Sequence, residues 1–123
     1  MKKNLKHAIL NGFYDSDYPG HALYGPKLLE NDSQENIWSA LRQELLTCQS
    51  FTWAVAFITQ DMLVPLKAVL SDLAKQKITG TIITGDYLNF NNPRVFFELE
   101  KIPNLKIKIA QKDGFHAKGY LFK

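Results

Sequence analysis

The sequence predicts an α/β fold, a sandwich built on a mixed, mostly parallel sheet flanked by helices. Three observations lead there. Apolar strand-like runs alternate with stretches of helical spacing, in the order helix, strand, helix, strand, helix, strand, strand. The first two strand-like runs are apolar on both faces, as central strands covered by helices are. The helical stretches open on capping signals at Asp32-Ser33-Gln34-Glu35, Thr59-Gln60-Asp61 and Asn92-Pro93.

The elements follow in order. Residues 1–32 are polar and rich in Gly, Asn, Asp and Tyr, with turn marks at Pro19-Gly20 and Gly25-Pro26. They are expected to form an extended N-terminal arm with a short helix over Leu5–Leu10. A helix then starts at Asp32 or Ser33 and runs to about residue 48, with Ile37, Leu41 and Leu45 on one face beside Trp38 and Cys48. A strand covers 51–58, Phe51, Trp53, Val55 and Phe57 sharing a face. Trp38 and Trp53 are both expected in the core.

The next helix carries Met62, Leu63, Leu66, Val69, Leu70 and Leu73 as its buried stripe. Proline is poorly tolerated inside helices, so Pro65 should lie near the first turn. Ile78–Thr84 reads as a second buried strand, closed by a Gly85-Asp86-Tyr87 loop. Asn92 as cap and Pro93 at the first helical position open a helix to about Lys101, with Phe96, Phe97 and Leu99 along it. Leu105–Ala110 alternates as a strand with Lys106 and Lys108 outward. Asp113-Gly114 is a hairpin turn signal, so the last two strands are expected to be antiparallel neighbours. The earlier strands should be parallel, joined by right-handed crossovers.

The chain is 123 residues long and reads as one domain, with 15 Lys+Arg against 12 Asp+Glu, a net charge of +3 and a pI near 9.0. That mild excess permits a polyanionic partner without demanding one. Lys2, Lys3 and Lys6, and Lys106, Lys108 and Lys112, are its only concentrated stretches. Cys48 stands alone, which excludes an intrachain disulfide, a thiolate zinc cluster and a CxxC redox pair. Neither an apolar leader core nor a run of membrane-spanning length is visible, so a cytoplasmic protein is the expectation. His7 and His21 read as surface residues.

The chemistry concentrates at Phe115-His116-Ala117-Lys118-Gly119-Tyr120-Leu121-Phe122. In a strand, residues two apart point the same way, about 7 Å from each other at roughly 3.3 Å per residue. His116 and Lys118 then present a nucleophile or base and a permanent cation to one anionic group, a phosphodiester being the obvious candidate. An H-x-K triplet is a weak signal by itself. Its setting adds to it, because loops at Thr59-Gln60-Asp61 and Thr84-Gly85-Asp86 close the earlier strands, where ligands of open α/β sheets bind. Thr59, Asp86, Tyr87 and Asn89 are the candidate substrate-binding residues. Asp61 and Asp86 are equally well explained as cap and turn residues, and Phe90 as a core residue.

Five blocks, taken in order, resemble a known family: Pro26–Leu29, Ala54–Thr59, Gly80–Leu88, Asn89–Pro93 and Phe115–Tyr120. They are similar to the phospholipase D-like superfamily, in particular to the phospholipase D-like domain at the N-terminus of bacterial superfamily II (DEAD/DEAH-type) helicases. The resemblance implies metal-independent phosphodiester hydrolysis without a cofactor. His116 would be the nucleophile that forms a phosphohistidine, and Lys118 the clamp on the phosphoryl oxygens. It implies DNA or RNA as partner, a helicase domain downstream in the same chain, and a second histidine from a homodimer partner or a later segment. The family pattern H-x-K-x4-D would place an acid at position 123, where this chain has Lys123. Residues 1–123 are therefore expected to be the N-terminal part of a longer protein and, alone, weakly active or inactive. The rival expectation is a non-catalytic nucleic-acid-binding or dimerisation module; a third, phospholipid headgroup hydrolysis, finds no lipid-binding amphipathic face.

Overall fold

The computed structural model describes residue 29 and residues 36–86, 91–111 and 114–123. The expected arm over 1–32 lies outside the described residues apart from half-buried Leu29, and so do His7 and His21. The chain divides into two units, Met1–Ala40 and Leu41–Lys123. The sheet lies wholly within the second.

Helix α1 (Ile37–Thr47) begins later than the Asp32-Ser33 signal suggests. Asn36 caps it, its Oδ1 accepting from the Ser39 amide at 2.8 Å and from Ser39 Oγ at 2.9 Å. One of the amides that every helix start leaves open is thereby satisfied. Leu45 and Cys48 are buried as their spacing predicts, whereas Ile37 is exposed and Trp38 only half-buried. Trp38 is therefore not a core residue.

Strand β1 (Ser50–Val55) is central and buries Phe51, Trp53 and Val55 on one face. It stops at Val55, three residues short of the expected end, and Phe57 is consequently 43 % exposed instead of sharing that face. Helix α2 (Gln60–Lys75) follows, with Leu66, Val69, Leu70 and Leu73 buried and Met62 exposed. Pro65 sits in its second turn, so the helix runs through the proline with one backbone bond missing. Strand β2 (Thr79–Gly85) pairs parallel with β1, Trp53 opposite Ile82 and Val55 opposite Thr84. Gly80 lies beside Phe51 in that register, and a Cβ there would stand only 2.1 Å from the Phe51 ring. Only glycine lets the ring lie over β2 at this point.

Helix α3 (Pro93–Glu100) starts as its sequence predicts, Asn92 Oδ1 accepting from the Arg94 amide at 3.0 Å with Pro93 next to the cap. Val95 and Leu99 face the core, while Phe97 is exposed. Strand β3 (Leu105–Ala110) pairs parallel with β2, and Lys106 and Lys108 are exposed as the alternation requires. α2 and α3 pack together, tied by Lys67 Nζ to Glu98 Oε2 at 2.5 Å. The result is a four-stranded mixed sheet flanked by helices, ordered β3-β2-β1 and then strand β4 (Lys118–Phe122).

The place of β4 corrects the hairpin expectation. It runs antiparallel to β1, at the edge opposite β3, with Lys118 facing Val55, Tyr120 facing Trp53 and Phe122 facing Phe51. Aromatic contacts explain the choice of partner. Trp53 meets Tyr120 edge-on with ring centres 5.1 Å apart, and Phe122 at 6.4 Å. The connection leaves Ala110 beside Gly85, turns through Gly114 at φ +73°, and reaches Lys118 opposite the end of β1. It therefore passes the carboxyl ends of β2 and β1.

Candidate functional site

His116 lies in this connection, just ahead of β4, and not inside the strand. Two backbone features fix its neighbourhood. The Ala56 amide donates to the Ala117 carbonyl at 2.8 Å, so the residue between His116 and Lys118 is tied to the end of β1. Phe115 lies over Gly85, where a Cβ would come within 3.1 Å of its ring and 3.3 Å of its own Cβ. The bare glycine at the end of β2 thus admits the crossing chain.

The two side chains converge although His116 lies outside the strand whose alternation was expected to align them. Lys118 Nζ stands 3.1 Å from His116 Nε2, and both residues are exposed. An ammonium can only donate, so a hydrogen bond between the two requires the tautomer with the lone pair on Nε2 and the proton on Nδ1. The pair is therefore an imidazole nitrogen next to a lysine ammonium, open to solvent near the carboxyl ends of the parallel strands β1 and β2.

The other candidate residues are placed as follows. Thr59 is the cap residue of α2 with extended backbone (φ −75°, ψ 155°), but its side chain makes no capping bond and is exposed. Asp86 follows directly on β2 and is exposed. Asp86 stands at the end of β2, next to the Gly85 that Phe115 crosses, and among the described residues neither Thr59 nor Asp86 is hydrogen-bonded to His116 or Lys118. Tyr87 and Asn89, with Phe90 and Lys112, lie outside the described residues. Lys123, at the position of the family's acid, is exposed, and its backbone pairs with Ser50.

Sequence reasoning passed over Asn91, which is 8 % exposed. Its Oδ1 accepts from the Ile58 amide at 2.9 Å. Its Nδ2 donates to the carbonyls of Ala56 at 3.2 Å and Gly85 at 2.5 Å and meets Thr84 Oγ1 at 3.3 Å. Thr84, fully buried, also donates to the Ala56 carbonyl at 3.3 Å. The one available signal was an asparagine directly ahead of the Asn92-Pro93 cap, with no capping task of its own. Phe115 was read as motif flank, although an aromatic paired with a strand-end glycine is its visible role.

Other polar groups serve packing. A groove between the C-terminal halves of α2 and α3 is lined by Lys67, Ser71, Lys75, Glu98 and Lys101. Its charges satisfy one another: Glu98 pairs with Lys67 at 2.5 Å and Lys101 at 2.6 Å, and Lys75 with Asp72 at 2.8 Å. The bond from Lys101, then that from Lys67, holds the Glu98 carboxyl down at about 2. Burial pushes the Cys48 thiol up, away from a reactive thiolate. Among the described residues no cluster of three or more His, Cys, Asp or Glu is placed to hold a metal ion, and no helix is long and apolar enough to cross a membrane.

No protein-family model matches the chain, and no curated protein matches it either. The class defined by fold and site is thus an α/β domain with an exposed His–Lys pair at the carboxyl end of its sheet.

Proposed function

We propose that the chain is a phospholipase D-like phosphodiesterase domain of a larger helicase-like protein acting on DNA or RNA. The approach of Lys118 Nζ to 3.1 Å of His116 Nε2, in solvent at the strand ends, carries the reading. On an incoming phosphodiester, the Lys118 ammonium moves from Nε2 to a non-bridging oxygen and stabilises the charge developing there. The freed Nε2 lone pair attacks phosphorus, the P–N bond forms, and the bond to the leaving oxygen breaks. That oxygen takes a proton from a second histidine, supplied by a homodimer partner or a later segment. The same group then activates water, which cleaves the P–N bond and releases His116. The residues in hand call for no metal in any of these steps.

A specific observation favours a second reading, a module that binds nucleic acid without cleaving it. Among the described residues no carboxylate bonds the His116 ring, and Lys123 occupies the acid's position. One experiment separates the two, made on the protein extended past Lys123. An enzyme hydrolyses an activated phosphodiester in the presence of EDTA. His116→Ala abolishes turnover and leaves nucleic-acid affinity within a few fold. Lys118→Ala weakens both and lowers the salt slope of binding by about 0.7–0.9. Binding without cleavage, indifferent to His116→Ala and with no trappable phosphohistidine, establishes the module. EDTA-sensitive hydrolysis that survives His116→Ala sinks the enzyme reading.

A further inference from the structure

We infer that Asn91 is a positioning residue for the His116–Lys118 pair, acting through Ala56; the inference rests on reading that pair as the working site. β1 ends at Val55, and the chain bends at Ala56. The last β1–β2 pair is Val55 with Thr84. Beyond it the Asn91 side chain bridges the two segments. It accepts from Ile58 N and donates to the Ala56 and Gly85 carbonyls, binding the turn after β1 to the end of β2.

Ala56 is therefore held at its carbonyl by Asn91 and Thr84, and its amide holds the Ala117 carbonyl at 2.8 Å. Ala117 lies between the two working residues. A rotation of the 56 backbone carries Ala117 with it, and with it the relative direction of His116 and Lys118. His116 itself is solvent-facing, and the segment around it is anchored by the Ala56–Ala117 bond, by Phe115 over Gly85 and by the pairing of Lys118 with Val55. Gly85 contributes from the other side, because its carbonyl is an Asn91 acceptor and its bare Cα supports Phe115. One buried amide thus coordinates both strand ends on which the crossing segment rests. An apolar residue of similar size would fill the space but strand the Ile58 amide and take a donor away from the Ala56 and Gly85 carbonyls.

Nitrogen-15 spectra of the imidazoles, recorded on the whole chain at mildly alkaline pH, test this. His116→Gln assigns the signal. In the wild type Nε2 should report as an unprotonated acceptor, and Lys118→Met gives the signal of a ring without its donor. Asn91→Ala should move the His116 signal toward that of Lys118→Met, while the amide spectrum of α2 and α3 stays folded. Thr84→Val, which removes one bond to the Ala56 carbonyl but leaves Asn91 its bonds to Ile58, Ala56 and Gly85, should move it less than Asn91→Ala does. In the extended protein Asn91→Ala should lower kcat by about 10²-fold with KM within a few fold, the signature of a misaligned group. An unchanged His116 signal in folded Asn91→Ala overturns the inference. If Asn91→Ala and Asn91→Ser both fail to fold, the residue is a fold determinant and the positioning role is also overturned. The spectral arm needs no substrate, so it is decided even if no hydrolysis is found. Absent turnover in the wild type bears on the enzyme reading alone.

Discussion

Gly80→Ala offers a demanding check on the core, because the contact it creates can be measured beforehand. The added Cβ would lie 2.1 Å from Phe51 Cζ, 2.4 Å from Cε1 and 2.8 Å from Cε2. Carbon atoms pack at about 3.5–4.0 Å, so ring or backbone must retreat by more than about 1 Å. Neither has room. Phe51 is 4 % exposed and rests against Trp53 with ring centres 5.6 Å apart. The Gly80 backbone is held between Phe51 and Leu105, and its amide donates to Asn104 at 2.9 Å. Overpacking of this kind costs about 1–3 kcal/mol. Alanine recovers about 0.4–1 kcal/mol by narrowing the unfolded ensemble. A net loss of about 1–2 kcal/mol is expected, read as a lower urea midpoint at unchanged slope, with Trp fluorescence as probe. Phe51→Leu should relieve the clash, so the double variant should be more stable than the sum of the singles implies, by about 1 kcal/mol. Equal or greater stability of Gly80→Ala, or strict additivity, would refute the packing argument.

Two further outcomes follow from local chemistry. The Glu98 carboxyl, ordinarily at 4.5, is held at about 2 by Lys101 and Lys67. A depressed carboxylate contributes stability above its unfolded value and loses it as pH falls toward the folded one. Glu98→Gln should therefore flatten the acid limb of the stability curve between pH 4.5 and about 2, checked by urea midpoints across that window. Asn92→Ala removes the acceptor for the Arg94 amide and should cost about 0.5–2 kcal/mol, whereas Asn92→Asp should restore most of it; an Asn92→Ala protein of unchanged midpoint contradicts the cap assignment.

Features set by neighbours in sequence were legible before the structure. The alternation of Leu105–Ala110 gives β3 its outward Lys106 and Lys108, though Ile109 on the opposite side is also exposed, and Asn92-Pro93 marks the start of α3 because cap chemistry is local. Strand, helix, strand repetition implies that the strands it joins run parallel, as β1, β2 and β3 do. Features that depend on which distant segment wins were not. Asp113-Gly114 favours a local reversal, but the strand that follows gains Trp53 as a partner for both Tyr120 and Phe122 by crossing to β1. Pairing His116 with Lys118 needed only their closeness in sequence. The role of Asn91 needed the ends of two strands and a helix start brought together, and no spacing rule encodes that.

The failed hairpin expectation and the candidate site have one physical origin. In a hairpin with β3, residues 115–117 would turn back at the sheet's outer edge, beside Lys106 and Lys108, and His116 would face solvent far from the start of α2. Crossing to β1 instead takes the chain past Gly85 and Ala56. At those points the parallel strands end and α2 begins. The route is possible because Gly85 offers no side chain to Phe115 and because the Ala56 amide, past the last β1–β2 pair, is free to bond Ala117. A side chain at Gly85 would therefore act on the site more than on the sheet. With Phe115 at 3.1 Å from the Cβ position, Gly85→Ala pushes on the crossing segment. Strand β2, already paired on both sides at Gly80–Thr84, stays where it is.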